Sequence, residues 1–580
     1  MVVDRVILRP RLSAPKEQNF LTEYFGSRVL VHEIPLPIEA GVELPGRTIT
    51  SMGRQFELLV AEVKDDGMAG RYGQTKQIYE MYYIAVSGEG IEPIDLRDKL
   101  ERVAAFEAQD STVRKTIARL QLFRSAATAG KALRLTASDF EVIEEPISLL
   151  SGSEMCDGCG FIGDEMLLRL LGGGTGALKA LRGLIKSEGL PVKQNTRKGE
   201  RELHDIVAEI EAIRAEQGFD AAADGGDCPP PAISVALTLL ALQVRIIGPR
   251  VGVGKGVLVR KPGISKIQLP PSMVKVAPST DNEDGEGNEW VSLIIKSEFP
   301  SSTNRVMGKL LLGAEPLSES DKKKLDEKRE LSPMISRLWA ALGVPRRVIN
   351  EYQRKPVEAM THAWTVGVAD MCTLPAGHIF VTGLQPTLVQ AGGPHEVFIT
   401  RSPCIKPGDG RMLPVVTEQP AAMDDRTWRW LLALPFGAVV FSSQGDGAPL
   451  PASIAQGDLD GDLYFICWDK HVINHVQQRE LVAGVDEPAY MYPAFVPEDK
   501  QPIRTGETWL AQVQDKLSDL SLVGEKSHVG RLYKAMERRA IENGMDDDEA
   551  LALGAAYTQA LEREKHGGAI HLPTHLHVKF

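Results

Sequence analysis

Nowhere in the 580 residues does an uninterrupted apolar stretch reach the roughly 18 residues that would cross a bilayer, so no transmembrane helix and no membrane partner are expected. The N-terminus, with Asp4, Arg5, Arg9 and Arg11, has no apolar core of the kind that marks a secretory signal. Six cysteines are too few over this length to make a disulfide framework, which points to an intracellular chain, cytoplasmic or nuclear, with reduced thiols. The pair Cys156-Asp-Gly-Cys159 has neither a second CxxC nor a spaced His pair to complete a zinc site. A net charge of −12 argues against a surface coated by nucleic acid, yet it leaves room for a local basic channel.

Such a channel is legible between Ala241 and Lys275, where no acidic residue occurs. This window holds Arg245, Arg250, Lys255, Arg260, Lys261, Lys266 and Lys275, interleaved with apolar runs such as Val257-Leu258-Val259 that read as strands. Within it, Gly252-Val-Gly-Lys255-Gly256 superficially suggests a phosphate-binding loop. Gly256 stands where a P-loop needs Ser or Thr, Pro249 where it needs its first Gly, and a strand follows where a helix should. That loop is rejected.

The most informative motif is Gln456-Gly-Asp458-Leu-Asp460-Gly461-Asp462-Leu-Tyr-Phe465. Three carboxylates at alternate positions would project to one side of an extended segment, and Gly461 lets the chain bend around what they hold. Like charges this close repel unless a cation lies between them, and oxygen ligands without nearby His or Cys favour Mg²⁺ or Mn²⁺. An EF-hand is excluded, because its positions 6 and 12 would be Leu463 and Asp469. A solvated acidic turn fits poorly with the apolar flanks Phe436–Phe441 and Leu463–Trp468. The pattern is that of a metal site for phosphoryl or nucleotidyl transfer, with Asp458, Asp460 and Asp462 as catalytic metal ligands.

Taken with Ala438-Val-Val-Phe441 before it and Trp468-Asp469 after it, the motif resembles the signature of the cellular, RNA-silencing RNA-dependent RNA polymerases. Further segments are similar to that family: Asp157-Gly-Cys-Gly160, Gln243-Val-Arg245, Lys255-Gly-Val-Leu258, Pro271-Ser-Met-Val-Lys275, Gly367–Asp370, Leu374–Gly377 and Val397–Asp409. Pro270 replaces a usual arginine and Lys406 a usual histidine. The resemblance implies an α+β multidomain fold in which two double-psi β-barrels enclose a catalytic cleft, one giving carboxylates and the other cations. Arg245, Lys255 and Lys275 would bind substrate phosphates, with both lysines catalytic. NTPs and a single-stranded RNA template would be the partners, with single-stranded DNA as the alternative template and silencing-pathway proteins as further partners. The product would be double-stranded RNA. The rival readings are a DNA-templated two-barrel polymerase and a catalytically silent RNA-binding scaffold. Oligomeric state is left open.

Domain organisation follows from length and pattern, since 580 residues suggest roughly three to five units. Residues 1–95 read as β-rich and 96–139 as helical. The first barrel is placed at 140–299 with a helical insert at 164–217, whose cluster Lys193, Arg197, Lys198 and Arg201 is a candidate RNA contact. A helical connector is placed at 300–365, the second barrel at 366–469, and a C-terminal helical region at 470–580.

Overall fold

Runs of β-branched and aromatic residues near the N-terminus assemble the first of three sheets in the computed structural model of the chain. The structure describes residues 11–13, 19–36, 44–69, 75–107, 111–125, 132–171, scattered positions from 185 to 213, 239–279, 290–477, 508–572 and 576, apart from 149, 314–315, 371–372, 391–395, 519 and 569. The cluster Lys193–Arg201 and the acidic segment 281–289 lie outside the described residues.

The first sheet is formed by β1 (Arg11–Ser13), β2 (Val29–Pro35), β3 (Thr48–Ser51), β4 (Arg54–Ala69) and β5 (Thr75–Gly88), in the order β1-β2-β5-β4-β3. All of its pairings are antiparallel. Leu58, Val60, Met81 and Tyr83 are buried in one core with the amphipathic helices Leu96–Val103 and Val113–Leu120, started by side-chain caps from Asp95 and Thr112. The helix Thr508–Leu517, far away in sequence, completes this core. Trp509 stacks on Phe106 with ring centroids 5.4 Å apart, and the Gln514 amide donates to the Leu58 carbonyl at 2.8 Å.

The helical stretch expected to run to 139 stops at Arg124, and Ala132–Thr136 is a strand instead. Its alternating Leu133 and Leu135 suit pairing with a central strand better than a helical face. The second sheet comprises β6 (Ala132–Thr136), β7 (Phe140–Val142), β8 (Cys159–Ile162), β9 (Ala241–Gly248), β10 (Gly252–Arg260), β11 (Ile267–Leu269), β12 (Val274–Val276) and β13 (Trp290–Phe299). Its order is β6-β13-β9-β10-β8-β11-β7, with β12 also on β10. β8 runs parallel to β10 and β7 to β11, while β9 is antiparallel to both β10 and β13.

The third sheet comprises β14 (His362–Ala369), β15 (Ile379–Val381), β16 (Glu396–Arg401), β17 (Arg411–Pro414), β18 (Ala438–Phe441) and β19 (Leu463–Cys467), in the order β15-β18-β14-β19-β16-β17. It begins four residues before the expected Val366, because β19 pairs along the whole of His362–Val366. A parallel bridge between Ile379 and Val415, with Val416 donating to the Ile379 carbonyl at 2.8 Å, joins the two outer strands and curls the sheet toward closure.

The second and third sheets share one core. Cys156, Cys159, Phe161, Val257 and Val259 pack with Val366, Val368, Val439 and Phe441. The Cys159 sulfur accepts the Ala369 amide at 3.3 Å, and complete burial pushes its thiol up to about 12, so it is an inert core thiol. The connector helices Ser302–Leu312, Glu319–Arg329, Pro333–Ala341 and Arg346–Gln353 each occupy a short span; the first three start on Ser301, Ser318 and Ser332 caps. Trp339 anchors the connector, meeting Tyr352, Phe398 and Phe465 at 5.3–6.1 Å between ring centroids. The same core takes in the C-terminal helices Leu520–Asn543 and Asp548–His566.

Candidate active site at the junction of the two mixed sheets

The three aspartates do not lie on an extended segment as expected. Residues 457–462 turn the chain through bends at 459–461 ahead of β19, with Asp460 facing Lys255 and Asp462 facing Arg401. Ala455 and Gln456 enter that turn with φ of 49° and 53°, which costs about 1–3 kcal/mol each in a non-glycine residue and persists only where surroundings enforce it. Gly461 has φ 133°, and a Cβ there would sit 1.8 Å from the Gln243 amide nitrogen. Backbone conformation therefore favours glycine at this position, and a side chain there would also displace the Gln243 amide.

Each carboxylate has a distinct environment. Asp460 forms an ion pair with Lys255 of β10, joining the third sheet to the second. Asp462 pairs with Arg401 at the end of β16, whose terminal nitrogen donates to Oδ1 at 3.1 Å. The other oxygen of Asp462 accepts the Asp458 amide at 3.0 Å, and Asp458 Oδ1 accepts the Asp460 amide at 3.2 Å. The Tyr464 hydroxyl donates to the Asp458 carbonyl at 2.9 Å, and Gln243 donates to the Asp460 carbonyl at 3.0 Å. Among the described residues no three His, Cys, Asp or Glu side chains converge on a common point, because Asp460 and Asp462 are turned onto their cations.

Burial, and then repulsion from Asp460 and Asp462, pushes the Asp458 carboxyl up to about 7. Asp460 moves the other way. Burial opposes its ionisation, but Lys255, Arg245 and Lys275 together hold it below the ordinary range. The two shifts belong to one coupled cluster, in which one carboxylate is neutralised by cations and its neighbour is not. The Asp458 shift makes the ion-free fold less stable at higher pH. Between about pH 4 and pH 7 the native state holds a proton that the unfolded chain has released, so stability falls as pH rises through this window. Differential scanning in EDTA from pH 5 to pH 8 should show Tm falling, and Asp458→Asn should flatten that fall. An identical slope in wild type and variant would place the titration elsewhere.

The second sheet brings the cations expected from the basic window. Arg245 lies opposite Lys255 in the β9–β10 register and is mostly buried, so burial lowers its pKa while Asp460 and Asp458 favour its charge. Lys275 donates to the Ser272 carbonyl, and its charge is felt by Asp157, Glu154 and Asp460. All six residues singled out in the sequence therefore meet at one junction. Lys406 and Pro270 have structural roles. The Lys406 amide donates to Asp409 at 3.1 Å, and Pro270 leads into the short turn Pro271–Met273 that presents Ser272.

Sequence reasoning missed several neighbours. Asp157, with φ 46°, gives its carbonyl to the Leu459 amide at 3.2 Å, and its own carboxyl is pushed up to about 6, by burial first and by Asp460 among its neighbours. Glu145 accepts the Cys156 and Asp157 amides at 2.9 and 3.2 Å and the Ser272 amide at 2.8 Å, pinning two turns of the second sheet beside the aspartates. Arg401 and Gln243 sit inside quoted motifs and could have been found there. Glu145 carries no such signal, because its three backbone partners are 11, 12 and 127 positions away.

With this geometry in place, comparison with known proteins is direct. Residues 357–579, which hold the whole third sheet and the aspartate turn, match the family model for RNA dependent RNA polymerase. Over this segment the chain is similar to the RNA-dependent RNA polymerase family. It is 26% identical over 183 residues to RNA-dependent RNA polymerase 1 of Arabidopsis thaliana, covering 32% of this chain and 14% of that protein. It is 38% identical over 78 residues to probable RNA-dependent RNA polymerase 1 of Oryza sativa subsp. japonica, covering 13% of this chain and 9% of that protein. The matched segments thus span a small part of these relatives. In fold, the chain is similar to the solved structure of RNA dependent RNA polymerase QDE-1 from Thielavia terrestris, with a TM-score of 0.56 at 15% identity, over 97% of this chain and 64% of that one.

Proposed function

We propose that the chain is an RNA-directed RNA polymerase that joins NTPs on a single-stranded RNA template by divalent-metal-dependent nucleotidyl transfer. The observation that carries this reading is the meeting of three aspartates from one sheet with Lys255 and Arg245 from the other, linked by the Lys255–Asp460 pair. The donor set suits a hard divalent cation. It is all oxygen, and burial, then repulsion from Asp460 and Asp462, opposes ionisation of Asp458, a penalty that a cation would relieve. Asp458, Asp460 and Asp462 would hold Mg²⁺ or Mn²⁺, which when bound stabilises the attacking and leaving oxygens of the phosphoryl group.

The chain's own residues supply the rest. Lys255, Lys275 and Arg245 neutralise the triphosphate, and an ammonium of Lys255 or Lys275 donates a proton to the departing pyrophosphate. Gln243 and Tyr464 fix the carbonyls of Asp460 and Asp458, so the turn keeps its shape as phosphates enter and leave. The two mixed sheets are read as a pair of double-psi β-barrels, supported by their parallel pairs β8–β10 and β14–β18 and by the Ile379–Val415 bridge. The product is read as double-stranded RNA for silencing, supported by the family whose model the aspartate turn matches.

Primer-free incorporation of radiolabelled NTPs on single-stranded RNA and single-stranded DNA, each with and without EDTA, tests this function. The expected result is EDTA-sensitive product on RNA that resists a single-strand-specific nuclease. Product on DNA alone would establish the DNA-templated rival. RNA binding without product on either template would establish the scaffold.

A further inference from the structure

We propose that Arg401 is the positioning residue of the aspartate turn, a fork that ties its first and last residues together and so sets the direction in which Asp462 offers its free oxygen lone pair. This rests on the polymerase reading for its catalytic consequence but not for its structural one. Arg401 ends β16 and lies opposite Tyr464 in the β16–β19 register, so its side chain starts just beyond the turn. One terminal nitrogen donates to the Ala455 carbonyl at 3.1 Å, the other to Asp462 Oδ1 at 3.1 Å, and Nε stands in ion-pair contact with Asp462 Oδ2. A single planar group thus spans residues 455 to 462.

Two features make this more than charge compensation. Ala455 and Gln456 are left-handed without being glycine, and the carbonyl that Arg401 grips is that of Ala455. Among the described residues, Asp462 Oδ2 meets both Nε of Arg401 and the Asp458 amide, whereas Oδ1 takes one donor and keeps an acceptor position open toward them. Gly457 packs against the aliphatic part of the same arginine, since a Cβ there would lie 3.0 Å from Arg401 Cδ. A lysine could supply the charge but could not bond residues 455 and 462 simultaneously with a planar fork.

The test uses the full chain with Arg401→Lys and Arg401→Gln. Three quantities are measured: amide hydrogen exchange across 455–463, Mn²⁺ binding by electron paramagnetic resonance without NTP or template, and incorporation kinetics at saturating Mn²⁺. In both variants the turn amides should exchange at least about 10-fold faster, with global Tm near wild type. The Gln variant should bind Mn²⁺ at least as tightly as wild type, because a competing cation has gone. In both variants kcat should fall about 10²-fold, the scale of a misplaced reactive group, with KM for NTP changing less than about threefold. Wild-type kcat in the Lys variant would overturn the proposal in favour of charge alone. Turn exchange unchanged in both variants would overturn it outright, as would Mn²⁺ binding that weakens in step with kcat. If wild-type protein incorporates no NTP, the polymerase reading fails, and exchange and Mn²⁺ binding still decide for or against the fork.

Discussion

Asp462→Ala and Asp462→Asn are both expected to lower NTP incorporation by about 10³-fold or more, equivalent to about 4 kcal/mol of transition-state stabilisation. Asp462 is engaged by Arg401 and by the Asp458 amide, so its carboxylate is the most firmly oriented of the three. The Asn variant preserves an acceptor and the side-chain shape while removing the negative charge that a divalent cation needs. A folding defect is therefore not the expected cause of the loss. Removing that charge also removes one of the two carboxylates that push Asp458 up, so the fall of Tm with pH in EDTA should become shallower than in wild type. Arg401, partly solvent-exposed, keeps the Ala455 carbonyl and can be hydrated on its freed side. Incorporation by the Asn variant within about tenfold of wild type would remove Asp462 from the metal-binding set.

The aspartate turn and the basic window were legible because each is dense in one charge type over a short stretch, and local density survives folding. Their meeting was not legible from local pattern. Lys255 and Asp460 are 205 positions apart, and what brings them together is the shared apolar core of the two sheets. The expectation of an extended segment, on which alternate residues share one face, failed for a related reason. That rule holds for extended backbone, whereas left-handed Ala455 and Gln456 and Gly461 at φ 133° coil the segment before β19 begins. The helix Thr508–Leu517 was hidden as a member of the N-terminal core because its apolar stripe says only that it packs, not on what. Strand β6 was missed where a short amphipathic run follows a helical region and either period fits it.

Lys255 joins the two halves of the site, and Lys255→Met is expected to lower kcat by about 10²- to 10³-fold, the scale of one lost electrostatic contact to developing charge. Its ammonium pairs with Asp460, a carboxylate held below its ordinary range by surrounding cations, and it also restrains the raised Asp458. Loss of the lysine would let the Asp460 carboxyl titrate higher, leaving Arg245 and Lys275 as its cationic neighbours. The pair is largely buried, but Arg245 and Lys275 remain as cationic neighbours of Asp460, so the variant should remain folded. KM for NTP should rise as well, because the same ammonium is assigned to the triphosphate once substrate enters. The salt dependence of template binding should stay as in wild type, since each lost template phosphate contact would flatten it by about one unit of slope. A variant with lowered Tm but unchanged kcat per folded molecule would make Lys255 a tether between sheets and nothing more. Lys255→Arg separates charge from geometry. It keeps the cation on β10 but replaces a compact ammonium by a broad planar group, so recovery of KM without recovery of kcat is the result expected if the ammonium delivers its proton to pyrophosphate.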